Sequence, residues 1–115
     1  MAYVDMSELQ RVLQKPAPTV DEQEAMQRVL DEAAREIDWE LGYTVDNPAP
    51  PVGDPDYPVI SETNLRRASE LWSLETRVGG IVPAGPDSIP IVVRLDTWQR
   101  HALTLLPLKR EFGIA

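Results

Sequence analysis

Cysteine is absent from this sequence of 115 residues, and histidine occurs once, at position 101. Without cysteine there is no disulfide, thiol nucleophile or cysteine-ligated zinc site, and a single histidine provides neither a histidine metal cluster nor a His–His acid–base pair. No apolar run approaches the ~20 residues of a membrane span. The N-terminus lacks the basic, apolar and small-residue blocks of a signal peptide. We therefore expect a soluble protein that is assembled in the cytoplasm.

Basic residues are also scarce: there are 11 against 19 acidic residues, which gives a formal net charge of −8. Residues 1–60 hold 13 acids and 4 bases, a net charge of −9, whereas residues 61–115 hold 6 acids and 7 bases, a net charge of +1. A nucleic-acid binder needs a basic stripe, and the arginines here are scattered. The gap between the third and fourth predicted helices is also too long for a helix–turn–helix. We expect no direct reading of DNA.

What the sequence does contain is helical periodicity. Asp5 and Glu8 form a capping-box pattern before a short helix that ends ahead of Pro16. A second capping box, from Thr19 to Glu22, opens a long helix that Gly42 is placed to end. Its apolar stripe consists of Met26, Val29, Leu30, Ala33, Ile37 and Leu41. On the opposite face, acids stand four residues before arginines, an order that favours ion pairs from Glu24 to Arg28 and from Asp31 to Arg35.

The second half of the chain predicts two more helices and one extended segment. A third helix runs from about residue 61 to about residue 78, with an apolar stripe so broad that burial on two sides is expected. Glu75 lies inside that stripe, and we expect its carboxylate to reach solvent or an arginine such as Arg77. Alternation over residues 89–95 favours a short edge strand. A third capping box, formed by Asp96 and Gln99, then predicts a helix that ends at Leu106 and Pro107.

Prolines interrupt the chain mainly in one place. Five of the 11 prolines fall within residues 43–60, which predicts a long proline-rich loop that has a function or is mobile. Residues 107–115 form a half-apolar C-terminal tail. The predicted fold is mainly α: one domain over residues 1–115, a small bundle of three to four helices with a short β-strand or hairpin.

No arrangement of residues in the sequence indicates catalysis. The acids of the second helix alternate with arginines, which is typical of a solvated face. The aspartates of the proline-rich loop lack the spacing of a calcium loop, and no lysine and hydroxyl residue follow Gly79-Gly80 as in a phosphate-binding loop. For His101 we expect a role in packing or capping. We predict no enzyme activity, no cofactor and no metal site.

Aromatic residues outside the apolar stripes indicate protein contacts. Trp39 follows Ile37 by about 200° around the second helix and therefore lies off its core face. Exposed tryptophan is a common interface anchor, so Trp39, together with Tyr57, is a candidate contact residue. The alternative for Trp39 is packing beneath the proline-rich loop or the first helix. Phe112 and Ile114 either fold back onto the core or insert into a neighbouring protein.

The order of these segments resembles a known family. The long helix headed by Thr19-Val20-Asp21-Glu22, the irregular insertion and the helix around Leu65–Trp72 are arranged in a similar way. The closing stretch, Trp98-Gln99-Arg100-His101-Ala102-Leu103-Thr104-Leu105-Leu106-Pro107-Leu108-Lys109-Arg110, is the most specific part. Leu108 stands where the family often has an aromatic residue, and the insertion is long. This layout is similar to that of the head–tail connector, or adaptor, proteins of tailed bacteriophages.

The resemblance implies a structural protein of the virion neck, assembled in the host cytoplasm. Such an adaptor forms a ring, twelve-membered in the family, with other copies of itself between the portal and the next neck, stopper or tail protein. DNA passes through its channel without sequence-specific binding. The residues that the resemblance assigns to contact with the portal or a neighbour are Trp98, Leu105, Leu106, Lys109, Arg110, Phe112 and Ile114.

The acidic face of the second helix has two interpretations within this resemblance. Asp21, Glu24, Asp31 and Asp38 would repel phosphates if they lined the channel, or they serve as a general solubility face. A different class of function also stays open. The chain is then a small regulatory module, of the inhibitor or antirepressor type, that binds one host protein.

Overall fold

The computed structural model describes residues 2–79 and 89–111, with side chains for 2–76 and 89–108. Within these ranges the chain forms four helices and no strand: α1 (Met6–Leu13), α2 (Val20–Leu41), α3 (Tyr57–Gly79) and α4 (Ile91–Glu111). Both α2 and α3 contact each of the other three helices. They are therefore the central pair of the bundle, and α1 and α4 pack at its periphery.

The long helix α2 follows its sequence pattern closely. The Thr19 hydroxyl accepts a hydrogen bond from the Glu22 N–H at 3.2 Å, and the Glu22 carboxylate accepts one from the Thr19 N–H at 3.0 Å. Gly42 ends the helix with a positive φ of 74°, a conformation that costs glycine little. All six residues of the predicted stripe are buried. The predicted capping box, C-terminal glycine and apolar stripe of α2 are confirmed.

The short helix α1 forms without the predicted capping box. Asp5 precedes it but its side chain makes no capping hydrogen bond, and the Glu8 carboxylate binds Arg11 instead. The helix ends at Gln14, which has a positive φ of 58°. Leu9 is buried, whereas Val12 is exposed. An eight-residue helix is not stable alone, so contacts of Leu9 with α2 and α3 hold it in place.

Helix α3 begins four residues earlier than predicted. Residues 57–60, assigned to the proline-rich loop from sequence, form its first turn. Pro58 does not prevent this, because a proline in the first turn removes an N–H that has no helical partner in any case. A turn built on Asp54 leads into the helix: its carboxylate accepts from the Asp56 N–H and its carbonyl from the Tyr57 N–H. Residues 43–56 are non-helical.

The strand predicted over residues 89–95 is wrong for residues 91–95, which are the first turns of α4. The residues of α4 that face α2 and α3 recur every three or four positions, and are Arg94, Thr97, Trp98, His101, Leu105 and Leu108. Only a helix places all of them on one side. Asp96 therefore lies inside α4 and is not its N-cap residue, so the predicted capping box of Asp96 and Gln99 is wrong. The helix also continues through Pro107 instead of ending there.

The core consists of two apolar clusters at opposite ends of α2. The first core cluster joins α1, the N-terminal half of α2 and the C-terminal half of α3, and contains Leu9, Met26, Leu30, Leu71 and Trp72 among others. The second joins the ends of α2 and α4 to the start of α3, and contains Ile37, Leu41, Ile60, Leu105 and Leu108. Between them along α3 lie three buried polar residues, Thr63, Asn64 and Arg67.

Candidate protein-interaction surface

Helix α4 is apolar on two sides. Leu105 and Leu108 face the second core cluster and are buried. A second set of large apolar residues on the same helix is exposed. This set, which we call the outer α4 face, consists of Ile91, Val92, Leu95, Leu103 and Leu106. At 100° per residue these five positions fall within about 120° of the helix circumference. A helix with apolar residues on two sides normally buries both of them. Since these five residues are exposed, the outer α4 face has no partner within the described chain.

A groove between α2 and α4 borders this face. The tryptophan groove has a volume of about 520 Å³ and is lined by Trp39, Leu95 and Trp98 together with charged residues of both helices. Trp39 is 88% exposed, so it packs under neither the proline-rich loop nor α1. Trp98 is partly buried, and its indole N–H donates to the Glu40 carboxylate at 3.0 Å. The groove therefore places the exposed indole of Trp39 beside the indole of Trp98, which its hydrogen bond to Glu40 holds in position.

The charged residues beneath the groove are paired with one another. Arg94 Nη2 lies 3.1 Å from Glu32 Oε2, and its Nε lies 3.5 Å from Glu36 Oε2. Arg35, at the groove edge, pairs with Glu32 at 2.7 Å, not with Asp31 as the sequence spacing predicts. Since these charges are already compensated, an apolar side chain that entered the groove would not have to strip an isolated charge of water.

Arg67 is the centre of this ionic network, and its side chain is fully buried. It makes two bonds of 2.8 Å to the Glu36 carboxylate on α2 and a third of 2.8 Å to Glu70 on α3. It also donates to the Thr97 hydroxyl and the Arg94 carbonyl of α4. Its guanidinium lies 5.5 Å from the Trp98 ring centroid, within the range of a cation–π contact. Arg67 thus joins three helices directly behind the tryptophan groove.

Burial and pairing act on these groups in opposite directions. Burial alone would lower the pKa of Arg67, but its hydrogen bonds and charge contacts with Glu36 and Glu70 outweigh burial and raise the pKa. For Glu70, burial alone would raise the pKa, and the hydrogen bonds from His101 and Arg67 lower it. Arg100 adds a further contact to Glu70 at 2.8 Å. Both groups are therefore held in their charged forms at neutral pH.

His101 takes part in this network. Its Nε2 lies 2.9 Å from Glu70 Oε1, and its ring packs against Trp98 with centroids 5.7 Å apart. A cleft of about 670 Å³ opens beside it between α3 and α4, with Pro58, Glu62 and Arg66 on the α3 side. Arg66 pairs with Glu62 at 2.9 Å, so these two charges at the cleft compensate each other. The expected packing role of His101 is consistent with these contacts.

Glu75 reaches an arginine, Arg28, while the side chain of Arg77 lies outside what the structure describes. Its carboxylate is fully buried and lies 2.6 Å from Arg28 Nη2, a contact that joins α3 to α2. The sequence spacing instead favours a pair between Arg28 and Glu24. Glu75 Oε2 has no hydrogen-bond partner among the described residues. This pair lies beside the first core cluster, away from the tryptophan groove.

The structure divides the residues assigned to the portal or neighbour contact. Leu106 belongs to the outer α4 face, and Trp98 lines the groove. Leu105 is fully buried in the second core cluster, so a partner cannot reach it in this conformation. The side chains of Lys109 and Arg110, and the whole of Phe112 and Ile114, lie outside what the structure describes.

Tyr57 and the acidic residues occupy other surfaces. Tyr57 is partly buried; its hydroxyl donates to the Tyr3 carbonyl at 2.8 Å and its ring meets the Tyr3 ring edge-on. Asp21 and Glu24 are exposed on the side of α2 that faces away from the core. Asp31 and Asp38 are only partly exposed: the Asp31 carboxylate accepts from Gln27 at 3.0 Å, and that of Asp38 accepts from the Tyr3 hydroxyl, which covers this flank of α2. Burial, together with Asp38, raises the pKa of Tyr3.

Sequence reasoning missed Arg67 and most of the outer α4 face. Arg67 appeared only as one of several scattered bases, and nothing in its neighbourhood distinguishes it from Arg66, which is 71% exposed. The signal for α4 was present: the spacing of three and four from Arg94 to Leu108 continues without a break. The run of β-branched residues at 91–93 concealed it by favouring a strand.

Comparisons with family models, curated proteins and solved structures found no match to this chain. Within residues 2–79 and 89–111, no helix is long and apolar enough to cross a bilayer. In the same part of the chain, no three acidic or histidine side chains are grouped so that they would hold a metal ion.

Proposed function

We propose that this protein is a non-enzymatic structural component of a phage virion, an adaptor that forms a ring between the portal and the next neck or tail protein. The observation that carries the proposal is the outer α4 face, a row of exposed apolar residues on a peripheral helix. An apolar surface of this kind on a small helical domain is typical of a protein that works in an assembly.

The position of α4 supports this role. The helix includes residues 107–111, the first part of the C-terminal tail, which is the segment that the family resemblance assigns to the portal contact. Leu106 of the outer face and Trp98 of the tryptophan groove both belong to the resembling stretch. We propose that this end of α4 and the tail bind the portal. The acidic side of α2, opposite the core, is then available to line the DNA channel.

The charge of the chain agrees with a channel that does not hold DNA. Among the scattered arginines of the C-terminal half, Arg67 and Arg94 pair with carboxylates inside the bundle. Arg66 and Arg100 are more exposed but each pairs with a glutamate. On α2 itself, Asp21 and Glu24 are exposed and the exposed base Arg35 pairs with Glu32, so this surface repels phosphate.

The test is the protein content of purified particles of the phage that encodes the chain. Quantitative mass spectrometry is expected to find it in several copies per particle, in a fixed ratio to the portal. A second measurement is binding of the purified chain to isolated portal rings, which we expect Leu106→Glu to abolish. Val45→Glu, at a loop residue that is 98% exposed, is the matched control. Absence of the chain from particles would contradict the proposal.

A second candidate is a regulatory module that binds one host protein, and the tryptophan groove favours it. A single groove with an exposed indole suits one anchoring side chain of a partner. The two functions differ in where the protein is found. A regulator is absent from purified particles and is recovered from infected cells with one host protein at a fixed stoichiometry.

A further inference from the structure

We propose that the free protein pairs with a second copy of itself through the outer α4 face, with the two α4 helices antiparallel around a two-fold axis near Gln99. In such an interface the same patch serves both copies, so each contact between residues i and j occurs twice. Three features of the surface agree on this one axis. They are the apolar row, the charges along one flank and the shape along the other.

The apolar row is nearly symmetric about Gln99. In antiparallel pairing Ile91 of one copy meets Leu106 of the other, and the midpoint of these positions falls between residues 98 and 99. Leu95 then meets Ala102, a small residue that leaves room for it, with the same midpoint. Gln99 itself is exposed near the axis, where two side-chain amides can donate to and accept from each other.

The charged flank has the same symmetry. Asp96 and Arg100 are both exposed on the side of α4 away from α2, and their midpoint is residue 98. Antiparallel pairing therefore brings Asp96 of each copy towards Arg100 of the other. Arg100 already binds Glu70 through Nη2, but a guanidinium has five N–H donors and can serve both carboxylates. A parallel pairing would instead place this charged flank against the α2 flank of the other copy, so Asp96 and Arg100 would not meet.

The other flank, next to α2, carries a projection and a hollow. Trp39 projects beside Leu95 and Trp98. A hollow of about 290 Å³, lined by Glu40, Gln99, Ala102, Leu103 and Leu106, lies further along the same side of α4. A two-fold axis near Gln99, perpendicular to the helices, places the α2 flanks of both copies on the same side of the interface and reverses the direction of α4. It therefore places Trp39 of each copy opposite the hollow of the other.

The area is sufficient for a stable pair. Trp39 and the five residues of the outer α4 face expose apolar surface on the order of 600 Å² per copy, as much as the largest apolar patch of an ordinary monomer. Two copies would bury about 1,200 Å² between them, within the range of specific interfaces. Tryptophan inserted in a hollow near the centre of such an interface is a frequent energetic anchor.

The pairing does not rest on the proposed virion role, because any chain with this surface would pair. If the adaptor role also holds, the pair covers the face that the portal needs, and it has to open before a ring can form. Free protein would then remain as pairs until the portal competes for the outer α4 face.

Sedimentation equilibrium of the purified chain over a range of concentrations tests the pairing. We expect a mass that approaches twice the 12.9 kDa of one chain as concentration rises. Leu95→Glu is expected to weaken pairing at least tenfold in Kd and Trp39→Ala to weaken it by a similar factor. Val45→Glu, in the loop, is expected to leave it unchanged. Circular dichroism should show the same helical signal for all four proteins, since the altered side chains are exposed.

A charge exchange tests the antiparallel register itself. In a pair of two Asp96→Arg chains, the arginine at position 96 of each copy faces Arg100 of the other. In a pair of two Arg100→Glu chains, the glutamate at position 100 of each copy faces Asp96 of the other. Each variant alone should therefore pair more weakly than the unaltered chain. Mixed in equal amounts, the two variants form two opposite-charge contacts in each mixed pair. We expect mixing to recover most of the pairing.

Each of four results would overturn the proposal. One is a monomer at every concentration, and another is pairing that Leu95→Glu leaves intact. The third is mixing of the charge variants without recovery. A ring of many copies without the portal would also overturn two-fold pairing, while it would support the adaptor role. Dimers of a chain that is absent from particles would support the pairing and contradict the adaptor role.

Discussion

Helices α2 and α4 are almost equal in length, with 22 and 21 residues, but they are stabilised in different ways. Helix α2 has a reciprocal cap at its start, a glycine at its end and one apolar stripe, all of them local in sequence. Helix α4 contains a proline and has apolar residues on two sides. Contacts with α2 and α3 place it. Local signals therefore account for α2, whereas tertiary contacts decide α4.

The largest effect is expected where α4 is joined to the central pair, at Arg67. Arg67→Met keeps much of the side-chain volume but leaves Glu36 and Glu70 without their shared partner. Breaking a buried ion pair on one side costs about 3 kcal/mol or more. We expect a loss in the free energy of unfolding of about 3 kcal/mol, measured by urea unfolding.

Two comparisons make the Arg67 result specific. Arg66→Met removes the neighbouring, exposed pair with Glu62, and should cost less than about 1 kcal/mol. Adding Glu36→Gln and Glu70→Gln to Arg67→Met removes the two carboxylates that have lost this partner and keep only Arg94 and Arg100 as arginine contacts, and should recover part of the lost stability. Equal losses for Arg66 and Arg67 would contradict a special role for the buried arginine.

The next prediction compares the two apolar sides of α4. Leu105→Ala removes a fully buried side chain from the second core cluster, and should cost about 3 kcal/mol or slightly less. Leu103→Ala removes a side chain that is 69% exposed, and should change stability by less than about 0.5 kcal/mol. Thermal unfolding at low protein concentration, where pairing does not contribute, measures both. A large loss for Leu103 would show that the outer α4 face is covered within one chain.

The same contrast explains what the sequence could predict. Thr19, Glu22 and Gly42 act on backbone groups within a few residues of themselves, so their roles are visible in a short stretch of sequence. The stripe of α2 is equally visible, because it repeats on one side of one helix. The mainly helical fold, the buried stripe of α2 and the position of Trp39 off the core face of α2 follow from such patterns.

The rest depends on residues far apart in the chain. Arg67 is buried because Glu36, 31 residues earlier, and Thr97, 30 residues later, both reach it. Residues 91–93 have β-branched side chains that favour a strand locally, and contacts such as that of Arg94 with Glu32 override this preference. No window of neighbouring residues contains that information. The ionic network was therefore not predictable from local pattern. At the start of α4 two local patterns compete, the β-branched run at 91–93 and the helical spacing that begins at Arg94, and tertiary contacts decide between them.

Caps give a smaller effect and test the local side of the comparison. Thr19→Ala removes the hydroxyl that accepts from the Glu22 N–H, and should lower the free energy of unfolding by about 1 kcal/mol. Asp5→Ala precedes α1, where the side chain makes no capping bond, and should cost much less. Urea unfolding of the two variants measures the difference. A loss for Asp5→Ala as large as that for Thr19→Ala would mean that the two helix starts are alike.

The smallest effect concerns pH and the joint between α3 and α4. Contacts with His101 and Arg67 lower the pKa of Glu70 from its ordinary value of 4.5. A carboxyl with a lowered pKa in the folded state adds stability above its unfolded pKa, and this contribution is lost as the pH falls through the folded pKa. The contribution of Glu70 is therefore complete at neutral pH and declines as the pH falls below about 4.5. Glu70→Gln removes it, so the difference in urea midpoint between the two proteins should shrink with acidification. Glu62→Gln controls for loss of a carboxylate in an exposed pair. A difference that stays constant down to the acid range would show that Glu70 holds α4 by shape alone, and that the ionic network does not contribute to placing this helix.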